Sequence, residues 1–535
     1  MIYLIPNWEL DRTDFDRDGI LYLSRLLERH GIENKIVLIN SQPFMNHYAQ
    51  FFGVKQEQLL PTFDTLQDIQ VPSGHPIGVQ DLNYPSSIEK IYSQKELLLV
   101  RNNKLYGRII PNMFGFVDRA VYYEEDGLQI DIYDERGFIS QKEYFDKDHV
   151  LIKREYLNCT AVVTISEYLN ENGRVVIEKG HRKLPEGMEF SNINTFLSHI
   201  FKEMLHTADL TNDRVVISVS PSAMEIVENL EGKDEFIYNV SSTDSLEELQ
   251  ATGWLKSILT KPKLLTEAAP KRDEIWAMQR KHDITKSNMP VVPMHFTAQN
   301  FGDSNTIKEL ITFWSVGFWE KMTVRTFEML LDKLKENDEM QLLAQIYLRQ
   351  VKLEDMEEVI RRTLKKHFAI ELTEKELERT TERSKNTYSI KKDFFDIDEI
   401  EEGTMQALQE ADEYLKRIEI QANPMTIEIL ERFRLVRLFV ELSTIPDYFY
   451  HAMAVGRGIP ILSREQTAYM IDGKNGKLVK NFRDLQEGLD TYLDLLNPWN
   501  RALVTAIDII EENSEENLIN QWRDLLNVKT ESEVA

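Results

Sequence analysis

The run from Leu435 to Val479 constrains the fold of this chain more than any other. It reads VRLFVELSTIPDYFYHAMAVGRGIPILS and, a few residues later, TAYMIDGKNGKLV. Val436 to Leu442 is apolar enough for a buried strand, and Ser443 or Thr444 is placed to cap the helix that follows. Pro446 suits a first helical turn, and Gly456 or Gly458 ends the helix. Ile459 to Leu462 reads as the next strand, and Asp472-Gly473 and Asn475-Gly476 mark tight turns. Strand, helix, strand and turn in this order belong to an α/β protein.

The same alternation opens the chain. A short strand at Ile2 to Ile5 precedes an amphipathic stretch at Asp18 to Arg29, with Leu21, Leu23, Leu26 and Leu27 on one face, and a second strand at Lys35 to Asn40. From Val71 to Gly180 the period changes to short alternating runs divided by Asn102-Asn103, Asp126-Gly127, Arg136-Gly137 and Asn172-Gly173, the spacing of consecutive hairpins. Leu128, Ile130 and Ile132 would face one side and Gln129, Asp131 and Tyr133 the other, so a half-buried antiparallel sheet is expected. The α/β pattern resumes with a helix near Thr195 to Leu205 and strands at Arg214 to Val219 and Glu235 to Val240. A second lobe is expected from about Asn305, with strands at Ile311 to Val316 and Met340 to Ile346 around a helix at Val324 to Glu336. Its closing helices are expected around Leu485 to Leu496, Arg501 to Asn513 and Glu515 to Leu526. The tract Glu354 to Glu419, including Glu374-Lys375-Glu376-Leu377-Glu378-Arg379, reads as solvated helical faces with i,i+4 ion pairs. The fold class is therefore α/β, two Rossmann-like lobes with an antiparallel sheet inserted in the first. The expected limits are 1–65 and 190–300 for the first lobe, 66–189 for the inserted sheet, 301–500 for the second lobe and 501–535 for C-terminal helices packing back across the lobes.

Charge narrows the partners. With 63 Lys and Arg against 89 Asp and Glu the formal charge is -26, which repels phosphate backbones and anionic lipid, so no nucleic-acid partner is expected. The start, Met1 to Pro6, lacks the basic and long apolar character of a secretory signal, and no apolar run is long enough to cross a bilayer. The single cysteine, Cys159, suits a reducing compartment. His181, His199 and His206 have no companions at metal-ligand spacing, and no metal or cofactor is expected. Ser218 to Pro221 lacks the glycines of a nucleophile elbow, which argues against a serine hydrolase.

The segment His451-Ala452-Met453-Ala454, Pro460 and the turn from Asp472 to Val479 resembles the nucleotide-sugar lobe of retaining GT-B glycosyltransferases. In active members two glutamates seven residues apart hold the donor sugar and ribose; the matching positions here are Thr444 and His451, and neither supplies a carboxylate. Between them, active enzymes start the helix with glycines whose N–H groups receive the pyrophosphate. Here the stretch is Ile445-Pro446-Asp447, where Pro446 removes a donor and Asp447 puts an anion in the path of the phosphates. His451 has no partner legible in the sequence, and a structural role is expected for it. A phosphate-neutralising Arg precedes a Lys in active relatives; this chain has Phe318 in that stretch, with Lys321 retained. The glycine-rich loop of the first lobe is replaced by Asn7-Trp8-Glu9-Leu10-Asp11. The 22 glycines in 535 residues fall below the roughly 7% of an average protein, as missing phosphate loops require. Each lost charge-stabilising group costs about 100- to 1000-fold in rate.

The inserted hairpin sheet resembles the extended β-sheet domain of the glycosyltransferases that begin O-glycosylation of serine-rich repeat adhesins. The chain as a whole is similar to the first accessory secretory protein family of the accessory Sec system of streptococci and staphylococci. That resemblance implies a non-enzymatic, cytoplasmic component, peripheral to the membrane translocon. Its implied partners are the second and third accessory secretory proteins, the accessory SecA motor and the glycosylated serine-rich repeat adhesin, recognised through polypeptide or O-glycans. Tyr122, Tyr123 and Tyr133, in a tyrosine-rich part of the inserted sheet, are candidate adhesin contacts, because aromatic rings stack on sugars; strands favour aromatics for packing as well. Two alternatives remain: an active or weakly active retaining glycosyltransferase that modifies the adhesin, and a carbohydrate-binding scaffold unrelated to secretion.

Overall fold

The computed structural model describes residues 1–8, 17–71, 73–93, 96–112, 114–205, 213–241, 246–348, 350–380, 386–391 and 402–527. It divides into two units, Met1–Thr266 with Lys271–Pro290, and Glu267–Pro270 with Val291–Ala535.

The first unit is organised by a parallel sheet. Its strands β1 (Ile2–Ile5), β2 (Asn34–Leu38) and β3 (Leu59–Pro61) come before the inserted module, and β14 (Arg214–Ser218), β15 (Ile237–Asn239) and β16 (Leu264–Leu265) come after it. The spatial order is β16-β15-β14-β1-β2-β3, with every neighbouring pair parallel. Counted along the chain this is the 3-2-1-4-5-6 order of doubly wound dinucleotide-binding folds. The first crossover helix, Gly19–Arg29, starts where Asp18 accepts from the N–H groups of Ile20 (2.8 Å) and Leu21 (3.3 Å), and it buries Leu21, Leu23, Leu26 and Leu27.

Between β3 and β14, ten antiparallel strands, β4 to β13, run from Glu89 to Phe190 in one sheet of sequential hairpins. Asn102 and Asn103 turn where expected, both with positive φ (52° and 58°) between Leu97–Arg101 and Lys104–Pro111, as a two-residue hairpin turn demands, whereas the turn expected at Asp126-Gly127 is Glu125-Asp126, with Gly127 already paired to Glu124. The expectation of one wet face does not hold along β8 (Gly127–Asp134). Ile132 is buried, but so are Asp131 and Tyr133 on the other side, and a bulge falls between Ile132 and Tyr133. Both faces are covered there. Tyr133 packs with Leu97, Ile109 and Val117 under Ile77, Leu82 and Tyr84. On β10 (Leu151–Leu157), β11 (Val163–Tyr168) and β12 (Arg174–Ile177), Tyr156, Ile165 and Val175 join Phe63, Leu66 and Phe196 of the parallel-sheet layer in one core. Arg136 stitches the layers by pairing with Asp134 and Asp64, each at 2.7 Å.

The second unit repeats the order. Its parallel strands are β17 (Leu310–Ser315), β18 (Met340–Ile346), β21 (Ile418–Ala422), β22 (Val436–Glu441), β23 (Ile461–Ser463) and β24 (Gly476–Leu478). They lie as β21-β18-β17-β22-β23-β24, again 3-2-1-4-5-6. A hairpin of β19 (Leu377–Thr380) and β20 (Thr387–Ile390) extends the β21 edge antiparallel. That corrects the helical reading of Glu374 to Arg379: Leu377, Tyr388 and Ile390 are buried in the lobe's core, and burial of an alternating edge outweighs the helix propensity of the charges. The residues of that tract between 381 and 385 and between 392 and 401 lie outside the described ones. The helix Leu496–Glu512 packs Ala506 and Ile509 against Tyr448, Ala452 and Val455, and the helix Glu515–Leu526 follows it. Among the described residues, no helix is long and apolar enough to cross a membrane.

Candidate functional site

In a sheet of this order, ligands bind beyond the carboxyl ends of the two strands where the order reverses. In the second unit those strands are β17 and β22, paired with Ser315 opposite Glu441. Their loops touch, because a Cβ on Gly317 would lie 2.7 Å from Ser443 Oγ. The folding of this crevice brings together the two stretches that the sequence singled out, Phe318 to Lys321 and Thr444 to Asp447.

What fills the crevice is the protein's own carboxylates. The helix Tyr448–Gly456 is capped by Asp447, whose Oδ1 accepts from the N–H groups of Phe449 (3.1 Å) and Tyr450 (3.3 Å). This corrects the expected cap at Ser443 or Thr444. Pro446 stands before the cap, and the N–H of Asp447 donates to both oxygens of Glu441, at 3.2 and 3.0 Å. Glu441 and Asp447 thus occupy the donors that a diphosphate would need, and a phosphate arriving there would face two anions.

His451 is fully buried, with Nε2 3.0 Å from Glu441 Oε2 and Nδ1 3.0 Å from Thr467 Oγ1. Neither partner was legible in the sequence. The signal was an acidic residue ending a mostly apolar strand, VRLFVE, where burial would demand compensation. Burial pushes the Glu441 carboxyl above the usual range, while the His451 imidazole draws it back. Thr444 is exposed, Ile445 is exposed, and Pro446 is buried. Phe318 is 71% exposed, its carbonyl accepting from Thr323 Oγ1 at 2.7 Å, and Lys321 is the exposed first residue of the helix Lys321–Glu336.

The three tyrosines do not form one surface. Tyr122 hydroxyl lies 2.9 Å from that of Tyr84, and Tyr133 is in the buried cluster beside them. Tyr123, next along the same strand, points to the opposite face. His181 serves the fold, with Nε2 3.1 Å from the Leu66 carbonyl and Nδ1 accepting from the N–H groups of Lys183 and Leu184. Glu9, Leu10, Asp11 and His206 lie outside the described residues.

The reversal point of the first sheet, between β1 and β14, is open. A cavity of about 410 Å³ is lined there by Asn7, Asn40, Ser41, Ser220 and Ser222, and roofed by Arg154 of the inserted sheet. Arg154 is committed to Glu143 (2.8 Å) and Glu167 (3.6 Å), and Phe63, Ile193 and Glu248 also line the space, so its walls mix hydroxyls and amides with apolar side chains and one carboxylate. In the sequence Asn7 and Ser220 stand out only for what their stretches lack, a glycine-rich loop and a nucleophile elbow, because hydroxyl and amide side chains in βα loops are common and carry no spacing signature.

Two 3-2-1-4-5-6 units, one interrupted by an antiparallel sheet, make the GT-B fold. Similar solved structures have this architecture. The pneumococcal O-GlcNAc transferase GtfA, solved with UDP and GlcNAc, matches with a TM-score of 0.66 and 11% identity over 98% of each chain. A chain in the crystal structure of accessory secretory protein 1, 2 and 3 of Streptococcus pneumoniae matches with a TM-score of 0.71 and 18% identity over 99% of this chain and 100% of that one. In sequence, the corresponding accessory Sec system protein of Staphylococcus aureus (strain NCTC 8325 / PS 47) is 22% identical over 98% of this chain and 95% of its own. The family model described as accessory Sec system protein, accessory secretory protein 1, matches residues 4–529. The chain belongs to that family.

Proposed function

We propose that the chain is a non-catalytic, cytoplasmic component of the accessory Sec export machinery, peripheral to the translocon, which assembles with the second and third accessory secretory proteins, meets the accessory SecA motor and binds a glycosylated serine-rich repeat adhesin. The observation that carries this reading is the closure of the donor crevice by Glu441 and Asp447. An enzyme of this class needs that position for a nucleotide's diphosphate. A binder does not, and the crevice of the first lobe stays available to a polypeptide or its sugars. Support for assembly comes from the pneumococcal relative, solved as accessory secretory protein 1, 2 and 3. In this reading the inserted sheet, residues 66–189, forms one wall of the client site, and Tyr123, outside the packed tyrosine cluster, is the remaining tyrosine candidate for client contact.

The test is thermal unfolding of the purified chain with millimolar UDP and UDP-N-acetylglucosamine, beside co-purification with the partners and adhesin. No shift with nucleotide together with recovery of the partners is the expected result. A rise in Tm with UDP would reinstate the transferase.

A further inference from the structure

The open crevice of the first lobe holds two amide oxygens that accept nothing. Gln141 is 3% exposed and lines the cavity. Its Nε2 donates to Glu143 Oε1 at 2.9 Å, and among the described residues nothing donates to its Oε1. A carboxylate only accepts, so the amide nitrogen must face Glu143 and the oxygen is turned away from it. Asn40, in the loop after β2, repeats the arrangement: its Nδ2 donates to the Trp8 carbonyl, and among the described residues its Oδ1 has no donor. A buried acceptor left unmet is costly, and a ligand that displaces water from these two must bring donors of its own. Glu143 has a second task, because its Oε1 also accepts from Arg154 Nε at 2.8 Å. One buried carboxylate therefore orients the Gln141 amide and, with Glu167, cancels the charge of the roof.

These groups select against two kinds of ligand. A phosphate or carboxylate anion carries acceptors only, and it meets Glu248 on the wall and no free backbone donor after β14, where Pro221 has no N–H and Ser220 Oγ takes the N–H of Ala223 at 3.1 Å. An extended polypeptide binds best along an open sheet edge, but β1 and β14 lie inside the sheet with a parallel neighbour on both sides. A neutral pyranose meets the site on both counts. Its hydroxyls supply the donors, and its C–H face suits the rings of Phe63 and Tyr156, which both line the cavity with centroids 5.8 Å apart and planes tilted by 43°. The Tyr156 hydroxyl is spent on Glu167 at 2.9 Å, so this residue offers its ring. The volume of about 410 Å³ falls within the roughly 300–1,000 Å³ of small-molecule sites.

We propose that the first-lobe cavity is a binding site for a neutral pyranose sugar, with Gln141 Oε1 and Asn40 Oδ1 accepting from its hydroxyl or amide donors and the Phe63 and Tyr156 rings against its apolar face. Glu143 is a positioning residue: it fixes which end of the Gln141 amide meets the ligand and keeps the Arg154 charge from recruiting an anion. The inference deepens the client reading above, and rests on it for the source of the sugar, an O-linked residue of the adhesin rather than a nucleotide donor.

The experiment titrates the full-length chain with N-acetylglucosamine, glucose, inorganic phosphate, UDP and an unglycosylated serine-rich peptide, following saturation-transfer NMR and Tm. The unaltered chain is expected to bind both sugars with millimolar Kd and neither anion. Gln141→Leu should weaken the sugars at least tenfold, and Ser222→Trp, from a half-buried position, should do the same should the buried substitution fail to fold. Glu143→Gln should weaken the sugars and admit inorganic phosphate, a gain that a merely structural role would not produce; loss of sugar without that gain would overturn the role of Glu143. No transfer from either sugar at tens of millimolar would overturn the site, as would unchanged affinity in Gln141→Leu and Ser222→Trp. Binding of phosphate or UDP by the unaltered chain, or displacement of the sugar by the bare peptide, would overturn the neutral-sugar class. Adhesin retained by the assembled complex without sugar binding here would sink the site and leave the client reading standing, whereas sugar bound but adhesin not retained would sink the client reading and leave the site.

Discussion

The two parallel sheets share one strand order and differ at the place where that order matters. At the β17/β22 reversal the crevice is closed by Glu441, Asp447 and His451; at the β1/β14 reversal it opens into a cavity of about 410 Å³. Topology creates a crevice in both lobes, but side chains decide whether it receives anything. In the second lobe carboxylates take the nearest helix-end donors, and Asp447 gives the helix Tyr448–Gly456 a cap of its own. The lobes therefore separate fold from function within one molecule.

Four measurements break or sharpen this contrast. The largest effect is expected from Glu441→Ala, which leaves His451 buried beside no carboxylate and the Asp447 N–H without its acceptor. Urea unfolding should show a loss of about 3–5 kcal/mol; a loss under about 1 kcal/mol would mean that the pair does not hold the crevice shut. Ser222→Trp, which places an indole in the open crevice, is expected to weaken retention of the adhesin in a pull-down at least tenfold, about 1.4 kcal/mol, with Tm unchanged. Full retention would remove the first-lobe crevice from the client path. Asp447→Ala removes a helix cap and should cost about 1 kcal/mol by the same urea measurement. If nucleotide then bound, Asp447 would be shown as the principal barrier.

The smallest effect is one of pH. Burial raises the Glu441 carboxyl, with the His451 ring and Asp447 the groups that face it. Folding therefore favours its protonated form, so its contribution is fully present below the unfolded value of 4.5 and is lost as pH rises through the folded one. The stability difference between the native chain and Glu441→Gln should shrink with rising pH above that value. A flat difference would mean that the His451 pairing cancels the burial.

Much of this was legible from residues whose constraints are local. The Met340–Ile346 strand and the Glu515–Leu526 helix coincide with their sequence limits, because apolar period and a Ser514 cap fix them without distant help. The substitution of Thr444 to Asp447 for a phosphate-binding turn was readable as chemistry, one residue at a time. Long-range pairing was not. His451 looked unpartnered because Glu441, ten residues earlier, becomes its neighbour only when strand and helix pack. Glu374 to Arg379 looked helical because nothing local says that Leu377 pairs with Ile390 at the edge of a sheet. The first-lobe cavity draws on residues from Asn7 to Leu249, brought together only by the completed fold.

The inserted sheet also sets the order in which the molecule is built. β1 cannot meet β14 until the chain has passed from Ile2 to Arg214, and the amino terminus closes this span by pairing with Asp213 at 2.9 Å. During synthesis the first three strands wait with an unpaired edge, while the hairpins between them and their partners need only near neighbours and form at once. A lobe assembled so late stays vulnerable to edge-to-edge association until its fourth strand leaves the ribosome, and a chaperone that shields β1 would shorten that exposure.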